Sequence, residues 1–236
     1  MIICLTFLSS VYAESQGLIL IYDSKNSQQS EKASAKDITF IKRNAIPKDS
    51  KHWERGLNDC SEYFEVVGIA HGSFTKKSCK QKAILYKYCF LGHGWELNGI
   101  VIFEGNNIAK HIVFENTTVK SIFSLPDINR NGFAEIGVSM GSTHMGETHE
   151  DIELIELSGG KVNKFGRTET YFENCSGSPN EKGNYSTDYR IWVTPGEQPA
   201  YYSEATFIDC NENKTKKEPL KRVLLEKDKI DFEIIK

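Results

Sequence analysis

The chain has 236 residues, a formal net charge of −3, 39% hydrophobic and 26% charged residues, and six cysteines. These values belong to a globular protein and exclude a disordered or collagen-like chain. The near-neutral balance lacks the basic footprint of a nucleic-acid binder, and no stretch approaches the roughly 18–20 apolar residues of a membrane span.

Residues 1–13, MIICLTFLSSVYA, carry no charge and end in small residues before the polar Glu14-Ser15. This is the pattern of a secretory leader cleaved after Ala13, and it places the mature chain outside the cell or in the periplasm. The 14–50 segment reads as an N-terminal strand, Leu18 to Tyr22, followed by a polar linker rich in Ser, Lys and Gln. Lys48 to Glu65 mixes polar and aromatic residues and is where we expect the single short helix.

From Phe64 onward the pattern is β. Short β-branched or aromatic runs recur at Phe64–Ala70, Lys82–Phe90, Gly99–Glu104, Ile108–Phe114, Val119–Leu125, Ala134–Met140, Ile152–Leu157, Val162–Phe165, Tyr189–Val193, Ala200–Ile208, Arg222–Leu225 and Ile230–Ile235. Gly105-Asn106-Asn107 and Ser158-Gly159-Gly160-Lys161 supply hairpin turns. No helix-length segments alternate with the strands, so 51–236 reads as one all-β domain, an antiparallel meander.

With Cys4 in the leader, five cysteines remain: Cys60, Cys79, Cys89, Cys175 and Cys210. No C-x-x-C pair is present, so a zinc ribbon and a thioredoxin-type motif are excluded. An oxidising compartment predicts two disulfides and one spare thiol. Cys175 and Cys210 stand apart and form the natural pair, while the other three can pair in three ways.

One segment carries chemistry: Asp127-Ile128-Asn129-Arg130-Asn131-Gly132-Phe133-Ala134-Glu135. Oxygen side chains fall at every second position, Gly132 permits a sharp turn, and Glu135 follows at position nine. Alternate oxygens on a curled loop converge on one centre, and calcium wants six to eight oxygens at about 2.3–2.6 Å. The Phe133 carbonyl is a further candidate ligand. An EF-hand needs a bidentate glutamate at position twelve; Val138 stands there, and the flanks read as strands. Asn-Gly is also an ordinary hairpin signal, so an ion-free turn is the competing reading.

The loop resembles those of FG-GAP/VCBS-type repeats, the blades of integrin-like β-propellers, in Asp127, Asn129, Asn131, Gly132, Glu135 and the apolar strand that opens at Ile136. The resemblance implies that the side chains of Asp127, Asn129, Asn131 and Glu135 hold Ca²⁺, to which the Phe133 carbonyl would add, and that the fold is a small or irregular propeller. Gly72 to Tyr86 resembles an eroded second copy without acidic ligands. With few charged ligands, an affinity on the order of 10⁻⁴ M is expected.

Two weaker patterns point elsewhere. Gly137-Val138-Ser139-Met140-Gly141 matches the G-x-S-x-G nucleophile elbow, which needs a strand, a turn and a helix. His144, Glu147, His149, Glu150 and Asp151 crowd a polar stretch read as a loop, where His144 and His149 are candidate zinc ligands. The sequence thus predicts a secreted or periplasmic calcium-stabilised module that binds a protein or glycan without catalysis. An inhibitor or immunity-type protein is the second reading, and a hydrolase using Ser139 or a His144/His149 metal the third.

Overall fold

A computed structural model describes residues 17–26, 30–45, 60, 63–92, 94–176, 183–227 and 230–235. The leader expected at 1–13, and most of the helix expected within Lys48–Glu65, lie outside the described residues. The strands are β1 (Ile19–Asp23), β2 (Glu65–Gly72), β3 (Gln81–Gly92), β4 (Trp95–Glu104), β5 (Asn107–Thr117), β6 (Val119–Ser124), β7 (Ile136–His144), β8 (Glu147–Glu156), β9 (Asn163–Glu173), β10 (Tyr185–Thr194), β11 (Ala200–Asp209), β12 (Thr215–Lys217), β13 (Lys221–Val223) and β14 (Glu233–Ile234). One sheet runs β14-β5-β4-β3-β2. The other runs β12-β11-β10-β9-β8-β7-β6, with β1 on β10 and β13 on β11. The pairings are antiparallel and neither sheet closes; propeller-like blades are not seen among the described residues.

The helix, α1 (Ala35–Asn44), lies within the stretch that composition assigns to a linker. Ser34 accepts a hydrogen bond from the Asp37 amide, and the Asp37 carboxylate accepts from the Ser34 amide. This reciprocal box satisfies two N-terminal donors that a helix otherwise leaves open. The helix buries Ile41 against the outer face of the five-stranded sheet.

Three apolar clusters hold the strands. One lies between the sheets, built from Leu85, Ile100, Ile112 and Phe114 of the first and Ile122, Val138, Met140 and Ile155 of the second. A second packs α1 onto Tyr86, Leu97 and Val113. A third joins Tyr22 to Phe123, Ile152, Ile191 and Tyr201 inside the larger sheet. Ser30 stitches the sheets together: its hydroxyl donates to the Ile122 carbonyl, while Glu31 bridges Ile69 of β2. Cys60–Cys89 and Cys175–Cys210 are disulfide-bonded and Cys79 is free. The second pair is the one expected; the first resolves the three-way choice among the remaining cysteines. No described helix is long and apolar enough to cross a membrane.

Close approach requires glycine at Gly99 and Gly137. Gly99 and Gly137 lie opposite Tyr86 and Phe123 across their strand pairs. A Cβ on either would sit 2.3 Å from the facing ring. Aromatic side chains here cover bare backbone, so Gly137→Ala is expected to cost about 1–3 kcal/mol through overpacking, read as a lower urea midpoint at unchanged slope.

The Tyr86 hydroxyl donates to the Ala45 carbonyl at 2.8 Å and lies 2.7 Å from His111 Nε2. With the phenol proton given to Ala45, Nε2–H donates to the phenol oxygen. Burial pushes the His111 imidazole down to about 4. The folded state therefore favours neutral His111, and its contribution is complete above the unfolded value near 6.5 and lost as pH falls toward 4. The loss is about 3 kcal/mol in order of magnitude. Urea unfolding of wild type and His111→Gln at pH 7 and pH 4.5 checks this: between those pH values the variant's stability should change by about 2–3 kcal/mol in the favourable direction relative to wild type, the other titrations being common to both.

Candidate functional site

The oxygen-rich segment is the β6–β7 connection. Its mouth is closed by the Leu125 amide donating to the Glu135 carbonyl at 2.9 Å. Inside, the chain curls around Asp127: Oδ1 accepts from the Asn131 amide at 2.9 Å and Oδ2 from the Gly132 amide at 2.7 Å. Asn129 Oδ1 accepts from the Asn131 amide, and Asn131 Oδ1 from the Phe133 amide. These successive side-chain turns are why Asp and Asn sit at alternate positions. The curl needs left-handed backbone at Arg130 (φ 61°) and Gly132 (φ 94°). A Cβ on Gly132 would also meet the Lys77 side chain at 2.8 Å.

Neighbours anchor the loop. The Ala134 amide donates to the Ser73 carbonyl, and the Gly196 amide to the Ile128 carbonyl. Lys77 sits over the Phe133 ring, 5.3 Å from its centroid. The 73–77 segment is therefore a buttress for the loop.

Glu156, at the end of β8, is a residue the sequence reading did not select. It is 1% exposed. Its Oε2 accepts from Asn129 Nδ2 at 2.7 Å and Asn131 Nδ2 at 2.6 Å. Its Oε1 accepts from the Ser158 hydroxyl and from Asn163 Nδ2. Burial alone would raise its carboxyl, but the four hydrogen bonds outweigh it and hold the group below the usual carboxylate range. The one available cue was a break in alternation, since Leu154, Ile155, Glu156 and Leu157 are all buried.

Glu135 is different. It is fully buried, and Oε2 accepts from the Ile128 amide at 3.0 Å. Oε1 has no hydrogen-bond partner. Burial pushes the carboxyl up to about 7, against the backbone amides of Ile128, Glu135 and Asn129, which pull it down; the nearby Asp127 charge adds a smaller rise. Tyr201 is a neighbour whose buried hydroxyl also lacks a partner; burial, then the Glu135 charge, raises it far above the ordinary phenol.

The structure thus gathers Asp127, Asn129, Asn131 and Glu135 in one curled loop, with the Phe133 ring turned to Lys77. Among the described residues no three His, Cys, Asp or Glu side chains converge at metal-ligand spacing, so a cation here would also need amide and main-chain oxygens. Those are available in kind: each Asp127 and Asn oxygen that accepts one amide proton retains a second lone pair. A buried carboxylate oxygen without a partner, close to a second carboxylate, is an uncompensated charge of the type a hard cation neutralises. The donor set fits calcium on that ground.

The other two patterns are placed differently from expectation. Ser139 is buried in the middle of β7, its hydroxyl 2.8 Å from that of Ser121, and β7 continues to His144 with no helix after it. Residues 144–151 are not a loop: β7 and β8 form a hairpin turning at Met145-Gly146. His149 lies beside Glu169 at 3.3 Å and against the Phe172 ring, while His144 pairs across the hairpin with Glu147. Comparison of the chain with protein-family models, with curated proteins and with solved structures found no match.

Proposed function

We propose that this chain is a calcium-stabilised β module of an extracytoplasmic compartment, acting by binding rather than by catalysis. The observation that carries the reading is the partnerless, buried Oε1 of Glu135 beside Asp127. Asp127, Asn129, Asn131, the Phe133 carbonyl and Glu135 would hold the ion, in the manner of the FG-GAP/VCBS-type loops they resemble. The ion would supply charge neutralisation at Glu135 and a rigid β6–β7 turn. Two disulfides and the leader-like 1–13 segment support the oxidising compartment, where calcium is abundant enough for a weak site to fill.

Thermal melting in calcium and in EGTA tests the reading. Calcium should raise the melting temperature, with no turnover of esters or peptides that Ser139→Ala removes. Superimposable curves would overturn the calcium assignment, and Ser139-dependent turnover would overturn the binding-only assignment.

A further inference from the structure

β9 pairs with β10 only over Tyr171–Glu173 and Ser186–Asp188. Beyond that, β1 takes the β10 edge opposite Arg190–Val193, and β9 stays with β8 while its freed edge is bridged by Glu226 at Arg167. Where β9 leaves β10, an open cleft of about 450 Å³ forms, walled on one side by the 221–226 segment. Its cations are already paired, while the Glu226 carboxylate in its lining has no ion pair among the described residues. Arg167 is paired with Asp151 and Lys221 with Glu218. Glu169 accepts from the Tyr189 hydroxyl at 3.0 Å and lies 3.3 Å from His149 Nδ1.

His149 also begins a row of rings across β8, β9, β10 and β11. His149 to Phe172, Phe172 to Tyr185 and Tyr185 to Phe207 are separated by 4.8, 5.1 and 6.1 Å between centroids. Phe172, Tyr185 and Phe207 are half-buried and His149 is exposed. The row leads into a second open depression beside Tyr185 and Phe207, of about 610 Å³. Glu169 therefore joins a polar cleft to an aromatic strip.

We infer that this face binds a neutral oligosaccharide, an inference that rests on the binding-module reading and names its ligand class. Asp151, Glu169 and Glu226 outnumber Arg167 and Lys221 in the lining, which disfavours an anionic ligand. Hydroxyl groups donate and accept, so they can engage paired carboxylate, guanidinium and phenol groups without breaking those pairs. Half-exposed rings offer apolar faces for the C–H faces of pyranoses. The length of the row suits several sugar rings rather than one.

The test is calorimetric and NMR titration of the calcium-loaded chain with cello-, malto-, xylo- and chito-tetraose, up to about 10 mM, which detects a Kd near 1 mM. Saturable binding of at least one is expected. Phe172→Ala should weaken it about tenfold or more, as for a central aromatic anchor. Tyr189→Phe, which keeps the ring and the fold, should weaken it about fivefold, the effect of one hydrogen bond. No binding, or binding that neither variant changes, would overturn the inference. If sugar binding fails while calcium still raises the melting temperature, only the ligand assignment falls. If the bound sugar is cleaved, the ligand class stands and the binding-only reading falls.

Discussion

Glu156→Ala lowers the melting temperature by about 5–15 °C. The glutamate accepts from four side-chain donors belonging to Asn129, Asn131, Ser158 and Asn163. Truncation strands all four, and each poorly hydrated donor costs about 1–3 kcal/mol. Ser158 and Asn163 lie nearer solvent and recover part of their loss from water, so the sum is about 2–4 kcal/mol. At this chain length each kcal/mol moves the midpoint by about 2–4 °C. Glu156→Gln should cost roughly half as much, because one oxygen survives while the new amide faces donors. Glu147→Ala, at the exposed hairpin end, should change little. Equal melting of wild type and Glu156→Ala would mean that the network does not hold the loop.

The second large effect is the response to calcium and its dependence on Glu135. Binding to the folded state alone stabilises by about 2.7 kcal/mol at one hundred times Kd, or roughly 5–11 °C at this size. For an affinity on the order of 10⁻⁴ M this needs about 10 mM calcium. Asp127→Ala should abolish the increment and also loosen the curl, since both its oxygens accept loop amides. Glu135→Gln should separate the two roles. Without calcium it removes a buried carboxylate with one unpartnered oxygen, so the EGTA midpoint rises at neutral pH. With calcium it removes an anionic ligand, so the increment shrinks. Opposite signs in the two buffers are the signature of a carboxylate kept for a cation. Destabilisation in both would mark Glu135 as a structural acceptor for the Ile128 amide alone.

Strands were legible where both faces of the sheet are covered. β4 and β5 carry long apolar runs, and the Gly105-Asn106 turn between them follows from local chemistry. The outer β7–β8 hairpin was not, because residues 142–150 are solvated and show neither apolar alternation nor a core face. α1 was hidden by its polar composition, although the Ser34-x-x-Asp37 box marks its start. Sheet order was beyond reach: nothing local says that β1 takes the edge of β10 that β9 leaves. In the candidate site, the alternation of Asp127, Asn129 and Asn131 gave the curl, because those side chains satisfy amides two to five residues away. Glu156 and Tyr201 belong to the same site through tertiary folding. Local spacing carries no trace of a carboxylate 25 residues from its Asn131 partner.

The central claim is that the β6–β7 loop is a cation site built around Asp127 and Glu135. Calorimetric titration of the chelator-stripped chain with calcium tests it most directly. The account predicts one ion per chain with Kd on the order of 10⁻⁴ M, weakened at least tenfold by Glu135→Gln and absent in Asp127→Ala. No binding up to about 10 mM, one hundred times that Kd, or binding of equal strength in both variants, would contradict it.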